Sequence, residues 1–189
     1  MAQALVGLDV SEMQGVLGAG HPAFRARQLY QAIYQQKVEQ LDEITTLPVA
    51  LRAQLRDQVT VGLPKANSWF DSSDGTRRYL LELEDGRTVE TVLMPEEGRD
   101  TICISSQVGC PVDCQFCLTA KMGIERNLTA GEIIGQILLV AGRHGLSPTD
   151  SRLNVVMMGM GEPLLNLANV LRRRELCSIR RPLGCRPEG

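Results

Sequence analysis

The chain has 189 residues, of which 43% are hydrophobic and 22% are charged, and its formal net charge is −2. This composition excludes wholesale disorder, and the length suffices for one core with a small accessory module. The weak negative charge excludes a bulk basic field for nucleic acid, so any RNA contact must use local patches. Because no apolar run reaches the roughly 18 residues of a membrane span and the N-terminus does not resemble a signal peptide, we expect a cytoplasmic protein with no membrane contact.

The first third of the chain predicts helices. After Pro22, apolar residues recur with the i, i+3, i+4, i+7, i+8 spacing of an amphipathic helix. They are Ala26, Leu29, Tyr30, Ile33 and Tyr34. A second helix is predicted from Pro48 to Val59, with Leu51 and Leu55 facing inward. We interpret residues 1–62 as a helical accessory domain.

A β-hairpin is predicted next. Residues 77–84 alternate between apolar and polar, with Tyr79, Leu81 and Leu83 on one face. The following Asp85-Gly86 pair favours a tight turn, and residues 87–94 form the returning strand. Residues 63–97 are therefore interpreted as a β-hairpin connector.

The segment after the hairpin has a strand–loop–helix–strand pattern. Residues 101–105 predict a strand that leads into a cysteine loop. Thr129 and Glu132 match a capping box that begins an apolar helix. The apolar run at residues 153–158 suits a strand covered on both faces. This order predicts a βαβ unit of a parallel sheet or barrel, and hence an α/β fold.

The six cysteines are unevenly distributed, since none precedes Cys103 and four lie at positions 103–117. Such clustering in an unexported chain favours metal ligation over disulfides. Cys110, Cys114 and Cys117 have the spacing C-x3-C-x2-C. Three thiolates leave one iron of a four-iron cluster open to a small molecule. S-adenosylmethionine can chelate that iron and be cleaved to a 5′-deoxyadenosyl radical.

Two alternatives to the cluster are a zinc site, with Cys103 or a histidine as fourth ligand, and unrelated thiols. Zinc knuckles usually pair two C-x2-C elements, whereas this chain has one. Its histidines, His21 and His144, lie far from the loop in sequence. The turn Gly161-Glu162-Pro163, one βαβ unit downstream, favours the cluster. There the backbone can approach a ligand, and the carboxylate can hold an ammonium group.

Four segments in order resemble the radical S-adenosylmethionine superfamily and, within it, the RlmN/Cfr group of RNA adenine C2 or C8 methyltransferases. They read VETVLMP at 89–95, CISSQVGC at 103–110, GIERNLTAGEI at 123–133 and MGMGEPLLN at 158–166. The resemblance covers residues 24–170. It implies a partial (β/α)6 barrel, with residues 98–170 as its N-terminal part. It also implies methylation of adenosine C2 in 23S rRNA and tRNA, with the C8 branch as an alternative.

The resemblance further implies the cofactors and the residues that hold them. A [4Fe–4S] cluster would be ligated by Cys110, Cys114 and Cys117. S-adenosylmethionine would be held by Gly161 and Glu162. A flavodoxin-type electron donor and a monomeric protein are expected.

Three more residues receive roles from the resemblance. Glu90 matches the proton acceptor, although without the family it would be interpreted as a solvated strand carboxylate. Cys103 matches the resolving cysteine, which frees the product by forming a disulfide. Phe116 lies between two cluster cysteines, and it either packs near the adenosyl group or is a core aromatic.

Residues 171–189 depart from the family. They are rich in arginine and turn residues and show little periodicity, so we predict an irregular, non-family tail of out-of-frame origin. Neither Cys177 nor Cys185 matches the family's methyl-carrying cysteine, so we expect a C-terminally truncated protein that transfers no methyl group to adenosine. A non-catalytic iron–sulfur or RNA-binding remnant is therefore an alternative function.

Overall fold

Three helices and two short strands form the first 62 residues in the computed structural model, which describes residues 2–146 and 152–178. In chain order they are β1 (Gln3–Ala4), α1 (Val10–Leu17), α2 (Ala23–Tyr34), α3 (Val49–Arg56) and β2 (Val59–Thr60), with a 3-10 turn at Leu41–Glu43. Strands β1 and β2 pair in parallel. Both predicted helices are confirmed as α2 and α3, and all the residues predicted to face inward are buried.

Helix α1 was not predicted, although its N-terminus carries a sequence signal. The Asp9 carboxylate accepts a hydrogen bond from the Glu12 N–H, and the Glu12 carboxylate accepts one from the Asp9 N–H. This is a capping box. The helix has eight residues, with Met13 and Leu17 buried. Its apolar residues form a short amphipathic stripe of Val10, Met13, Val16 and Leu17. That stripe and the capping residues were the available signal.

The remainder of the chain is built on a sheet and two longer helices. In chain order its elements are β3 (Lys65–Asp71), β4 (Arg77–Glu82), β5 (Thr88–Glu96), β6 (Arg99–Cys103), β7 (Gln107–Gly109), α4 (Leu118–Met122), β8 (Ile124–Asn127), α5 (Ala130–Arg143), β9 (Arg152–Val156), a 3-10 turn (Pro163–Asn166) and α6 (Leu167–Ser178). The main sheet has the order β3-β4-β5-β6-β9 and is antiparallel except for the parallel pair β6–β9. Strands β7 and β8 form a separate antiparallel pair. No helix in the described ranges is long and apolar enough to cross a membrane.

The predicted hairpin and βαβ unit are both present. Tyr79, Leu81 and Leu83 are buried on one face of the β4–β5 hairpin. Strand β6, helix α5 and strand β9 form the βαβ unit, so the α/β class is confirmed. The sheet continues across residue 97, because β5 pairs with β6. The division of the chain into residues 1–62, 63–97 and 98–170 stays a prediction.

Two strands differ from the sequence prediction. Strand β3 was missed because six of its seven residues are exposed and it shows no apolar alternation. Strand β9 was expected to be covered on both faces, but its apolar residues are only half-buried. It forms one edge of the described sheet, and one of its faces borders an open cavity.

Helix α5 lies between two hydrophobic cores. Ile134 and Leu138 pack in the core of the accessory helices. Ile133 and Ile137 pack in the core beneath the sheet. The predicted capping box is present at the start of the helix. Ten of its 14 residues are buried, so α5 is enclosed around most of its circumference.

The prediction of an irregular tail from residue 171 is wrong for residues 171–178, which complete helix α6. Leu176 is fully buried in the accessory core, and its carbonyl accepts a hydrogen bond of 2.9 Å from the Tyr30 hydroxyl. Arg172 forms ion pairs with Asp9 and Glu12. These tertiary contacts stabilise a helix whose sequence shows little amphipathic period. Residues 179–189, including Cys185, lie outside the described part of the chain.

We expect the substitution Gly131→Ala to destabilise the protein. A Cβ at this position would lie 2.4 Å from the carbonyl oxygen of Val6, and backbone atoms cannot rotate away. The free energy of unfolding should fall by about 1–3 kcal/mol, as for other overpacked sites. Urea denaturation measures it. Gly15→Ala in α1 is the matched control, because a Cβ there meets nothing within 4 Å and alanine favours a helix by about 1 kcal/mol. Equal losses in the two variants would contradict the predicted clash.

Candidate active site

The candidate site is the face of the sheet that points away from α5. Val92, Cys103 and Val156 are register partners in one row across β5, β6 and β9. Two residues further along the sheet, Thr101 and Asn154 are partners in a second row. The two rows contribute to a cavity of about 520 Å³. Its full lining is Val92, Met94, Glu96, Arg99, Thr101, Cys103, Asn154, Val156 and Met158.

Cys103 is a half-buried free thiol in the wall of this cavity. Burial raises the pKa of the thiol, and a hydrogen bond from the backbone N–H of Met158 opposes that shift only in part. The thiol form is therefore favoured at neutral pH. Because only the thiolate is nucleophilic, an attack by Cys103 would need a base or a cationic group near the thiol.

Glu90 lies on the same sheet face as Cys103. It comes two residues before Val92, the register partner of Cys103, so both side chains project from the same side of the sheet. The Glu90 carboxylate pairs with Arg78 at 3.4 Å. The two side chains are 45% and 56% exposed, which leaves the carboxylate accessible to a substrate above the sheet.

The segment that contains Gly161 and Glu162 is hydrogen-bonded to the end of β6 and to β7. Gly159 donates to the carbonyl of Ile104 at 3.1 Å. The N–H of Glu162 donates to the side-chain oxygen of Gln107 at 2.8 Å. Gly161 has φ +97°, and a Cβ there would lie 2.7 Å from the Gln107 nitrogen. Glycine is therefore required both by its conformation and by this close approach.

Among the described residues, the carboxylate of Glu162 accepts one backbone hydrogen bond. Its Oε1 accepts a hydrogen bond of 3.0 Å from the N–H of Leu164 and so caps the 3-10 turn at Pro163–Asn166. The group is half-buried. Because the cap uses one oxygen, the second remains available to a cationic group.

A buried amide, Gln136 of α5, was missed by the sequence analysis. Its Oε1 accepts hydrogen bonds from the Ser105 N–H and the Thr91 hydroxyl, each at 2.8 Å. Its Nε2 donates to the Ser105 carbonyl at 3.0 Å. The Ser105 hydroxyl in turn donates to the Glu90 carbonyl and accepts from the Met160 N–H. A lone glutamine within the apolar run IIGQILLV was the available signal.

Asn166 is a second buried amide that the sequence did not predict. Its Nδ2 donates to the carbonyls of Ser106 at 2.7 Å and Leu128 at 2.8 Å. These two carbonyls flank the cysteine loop, on the β6–β7 side and on the β8–α5 side. Asn166 therefore connects both flanks of the cysteine loop, at Ser106 and Leu128, to the segment that follows Gly161.

Cys110, Cys114 and Cys117 lie in the loop between β7 and α4, and all three are half-buried free thiols. The loop contains tight turns, since Cys117 donates to the Cys114 carbonyl at 3.0 Å. Hydrogen bonds from backbone groups, chiefly the Ala120 N–H, lower the pKa of the Cys117 thiol. Three thiols in one loop suit a soft metal centre such as iron–sulfur.

The structure does not gather these thiols into a complete ligand set. Over residues 2–146 and 152–178, no three histidine, cysteine, aspartate or glutamate side chains converge as metal ligands. None of the cysteines at 103, 110, 114 and 117 forms a disulfide. The disulfide implied for Cys103 is therefore not found among these residues.

Phe116 is 94% exposed, so the interpretation as a core aromatic is wrong. The alternative, a contact with an adenosyl group, stays a prediction.

Comparison with known proteins finds similarity to one group of RNA methyltransferases. Residues 3–61 match the model of the ribosomal RNA large subunit methyltransferase N-terminal domain. A probable dual-specificity RNA methyltransferase RlmN from Koribacter versatilis is 48% identical over 169 residues, which cover 81% of this chain and 49% of that protein. Over the part that it spans, the chain is similar to RlmN proteins. An RlmN from Halorhodospira halophila is 47% identical over 168 residues, covering 88% of this chain and 46% of that protein.

A solved structure supports the same relationship to RlmN. A radical SAM methyltransferase from Sphaerobacter thermophilus has a TM-score of 0.88 and 38% sequence identity, over 95% of this chain and 53% of that one. The resemblance stated from the sequence is thus confirmed. The chain spans about half the length of the curated RlmN relatives that it matches.

Replacing Gln136 by leucine should destabilise the protein strongly. The change leaves the Ser105 N–H and carbonyl buried without partners, at about 1–3 kcal/mol for each group. We expect a loss of about 2–4 kcal/mol in urea denaturation. Gln31→Leu, on the exposed side of α2, is the matched control and should stay within about 0.5 kcal/mol of the parent. Similar stabilities for the two variants would contradict the bridging role of Gln136.

Proposed function

We propose that this chain supplies the cluster-binding and adenosine-facing half of a radical S-adenosylmethionine RNA methyltransferase. The proposed reaction is methylation of adenosine C2 in 23S rRNA and tRNA. The observation that supports this proposal most directly is the strand register. Cys103 and Glu90 share one open sheet face, and that face borders the segment of Gly161 and Glu162.

In this proposal Cys110, Cys114 and Cys117 ligate a [4Fe–4S] cluster. Their chemistry fits it, because three thiols in one loop leave a fourth iron position for a small molecule. Gly161 and Glu162 hold S-adenosylmethionine. The close backbone approach at Gly161 and the available carboxylate oxygen of Glu162 suit the amino acid part of that cofactor.

When bound, the cluster and S-adenosylmethionine supply radical chemistry, which the reaction needs because adenine C2 is an electron-poor sp² carbon and cannot be the nucleophile in a methyl displacement. The protein residues act on the RNA. Glu90 accepts the proton from C2, and its ion pair with Arg78 holds the carboxylate above the sheet. Cys103 would attack the sulfur of the cysteine that carries the RNA adduct, which the other half of the enzyme supplies. An S–S bond forms and the C–S bond breaks, and the released carbon keeps the electron pair and takes up a proton to become the methyl group on adenine. A flavodoxin-type protein is the proposed electron donor.

Anaerobic reconstitution with iron and sulfide tests the proposal. The parent chain should take up iron and sulfide and, with a reductant, cleave S-adenosylmethionine to 5′-deoxyadenosine. Cys114→Ala should lose both properties, because one of three cluster ligands is removed. Cys103→Ala is the matched control, since this thiol lies in the sheet and should not affect iron content. Stoichiometric zinc and no iron uptake in the anaerobically purified parent would refute the cluster.

The role of Glu162 can be separated from its capping of the 3-10 turn. Glu162→Gln keeps an oxygen that can accept from the Leu164 N–H, but it loses the charge that would pair with the cofactor ammonium. We expect about tenfold weaker binding of S-adenosylmethionine to the reconstituted protein, as for a lost charge-assisted hydrogen bond. Isothermal titration measures the affinity. Glu97→Gln, in the exposed β5–β6 turn, should bind as the parent does. Unchanged affinity in Glu162→Gln would reduce this residue to a structural role.

A further inference from the structure

We infer that Asn154 is a specificity-determining residue, which recognises the N6/N7 edge of the target adenine in the cavity beside Cys103. This inference rests on the proposed function, since it takes RNA as the substrate. It adds a residue that neither the sequence motifs nor the family resemblance singled out.

The first observation is the chemical type of the residue. Strand β9 and the residues after it read RLNVVMM, and Asn154 is the one polar side chain in the apolar part of this run. It is half-buried and lines the cavity. Within the described ranges its carboxamide makes no side-chain hydrogen bond. A carboxamide that faces a cavity without a partner is suited to bind a ligand with complementary donors and acceptors.

The second observation is the distance between the rows of the sheet. Thr101 and Asn154 are register partners, and the next row on the same face contains Cys103 and Val156. Rows two residues apart are separated by about 6.6 Å along the strands, which is close to the width of a purine. A flat base that contacts Asn154 at one edge would therefore present its opposite edge to Cys103.

The walls of the cavity suit the faces of such a base. Val92, Met94 and Val156 lie in the two rows and Met158 follows β9, and all four apolar side chains line the cavity. The charged partners Glu96 and Arg99 line it one row further from Cys103. Apolar walls with few polar groups are typical of sites that bind small aromatic ligands. Methionine also makes favourable sulfur contacts with aromatic rings. Polar recognition within the second row is left to Asn154 and the Thr101 hydroxyl.

The hydrogen-bonding pattern distinguishes adenine from guanine. An asparagine carboxamide can accept from N6–H and donate to N7 of adenine at the same time. Guanine presents O6 as an acceptor in place of the N6 donor, so one of the two bonds is lost. When adenine is held by its N6/N7 edge, C2 lies on the opposite side of the ring. That orientation directs C2 toward Cys103, the residue assigned to release a C2 adduct.

Binding of short RNAs tests the inference on the full chain. The probes are single-stranded uridine RNAs with one central adenosine, 7-deazaadenosine or guanosine, and fluorescence anisotropy gives the Kd. The parent should bind the adenosine RNA about fivefold or more tightly than the other two, the factor expected for one bidentate contact. Asn154→Leu should bind all three equally. Asn154→Asp, which keeps the side-chain size but cannot donate to N7, should no longer distinguish adenosine from 7-deazaadenosine.

Asn67→Leu on the exposed strand β3 is the matched control and should keep the parent's preference. Equal preference in the parent and both Asn154 variants would overturn the inference and leave the proposed function intact. No binding of any RNA by the parent would overturn the proposed function and this inference together. Adenine is also part of S-adenosylmethionine, so the affinity of the reconstituted variants for S-adenosylmethionine is measured in parallel. If the variants bind S-adenosylmethionine more weakly but keep the parent's RNA preference, Asn154 contacts the cofactor, and its proposed role in RNA recognition is overturned.

Discussion

The enclosure of helix α5 is the constraint on which both halves of the structure depend. Ile134 and Leu138 complete the accessory core, whereas Ile133 and Ile137 complete the core beneath the sheet. Both cores therefore include side chains of this one helix. The accessory helices and the sheet are therefore coupled through one element, and a change in its position alters the packing of both.

Hydrogen bonds from this enclosed helix help to position the loops of the candidate site. Buried backbone groups need partners, and here buried amides provide them. Gln136 satisfies Ser105 at the end of β6, and Asn166 joins the two flanks of the cysteine loop. Ser105 then connects Glu90 with Met160. The segment of Gly161 and Glu162 is thus held by a chain of hydrogen bonds that begins in the core.

Local patterns account for the part of the fold that the sequence predicted. The period of α2, the alternation of the β4–β5 hairpin and the capping box of α5 each depend on residues a few positions apart. Long-range contacts account for helix α6 and for the buried amide Gln136, which the sequence did not predict. Helix α6 depends on Tyr30, 146 residues from its partner, and the Gln136 contacts span 31 residues. The motif residues could be predicted from their spacing in the sequence. That Glu90 and Cys103 lie on the same face of the sheet could be seen only from the strand register.

The contact between Gly7 and Gly131 restricts how this architecture can be recombined. Gly7, in the loop before α1, lies directly against Gly131 of α5. A Cβ on Gly7 would lie 2.8 Å from the Gly131 Cα, so neither position has room for a side chain. A chimera that takes the accessory helices from one homologue and the sheet from another must keep both glycines. The two positions are therefore expected to be inherited as a pair, and a homologue with a larger residue at one of them would have to dock its accessory helices at a different angle.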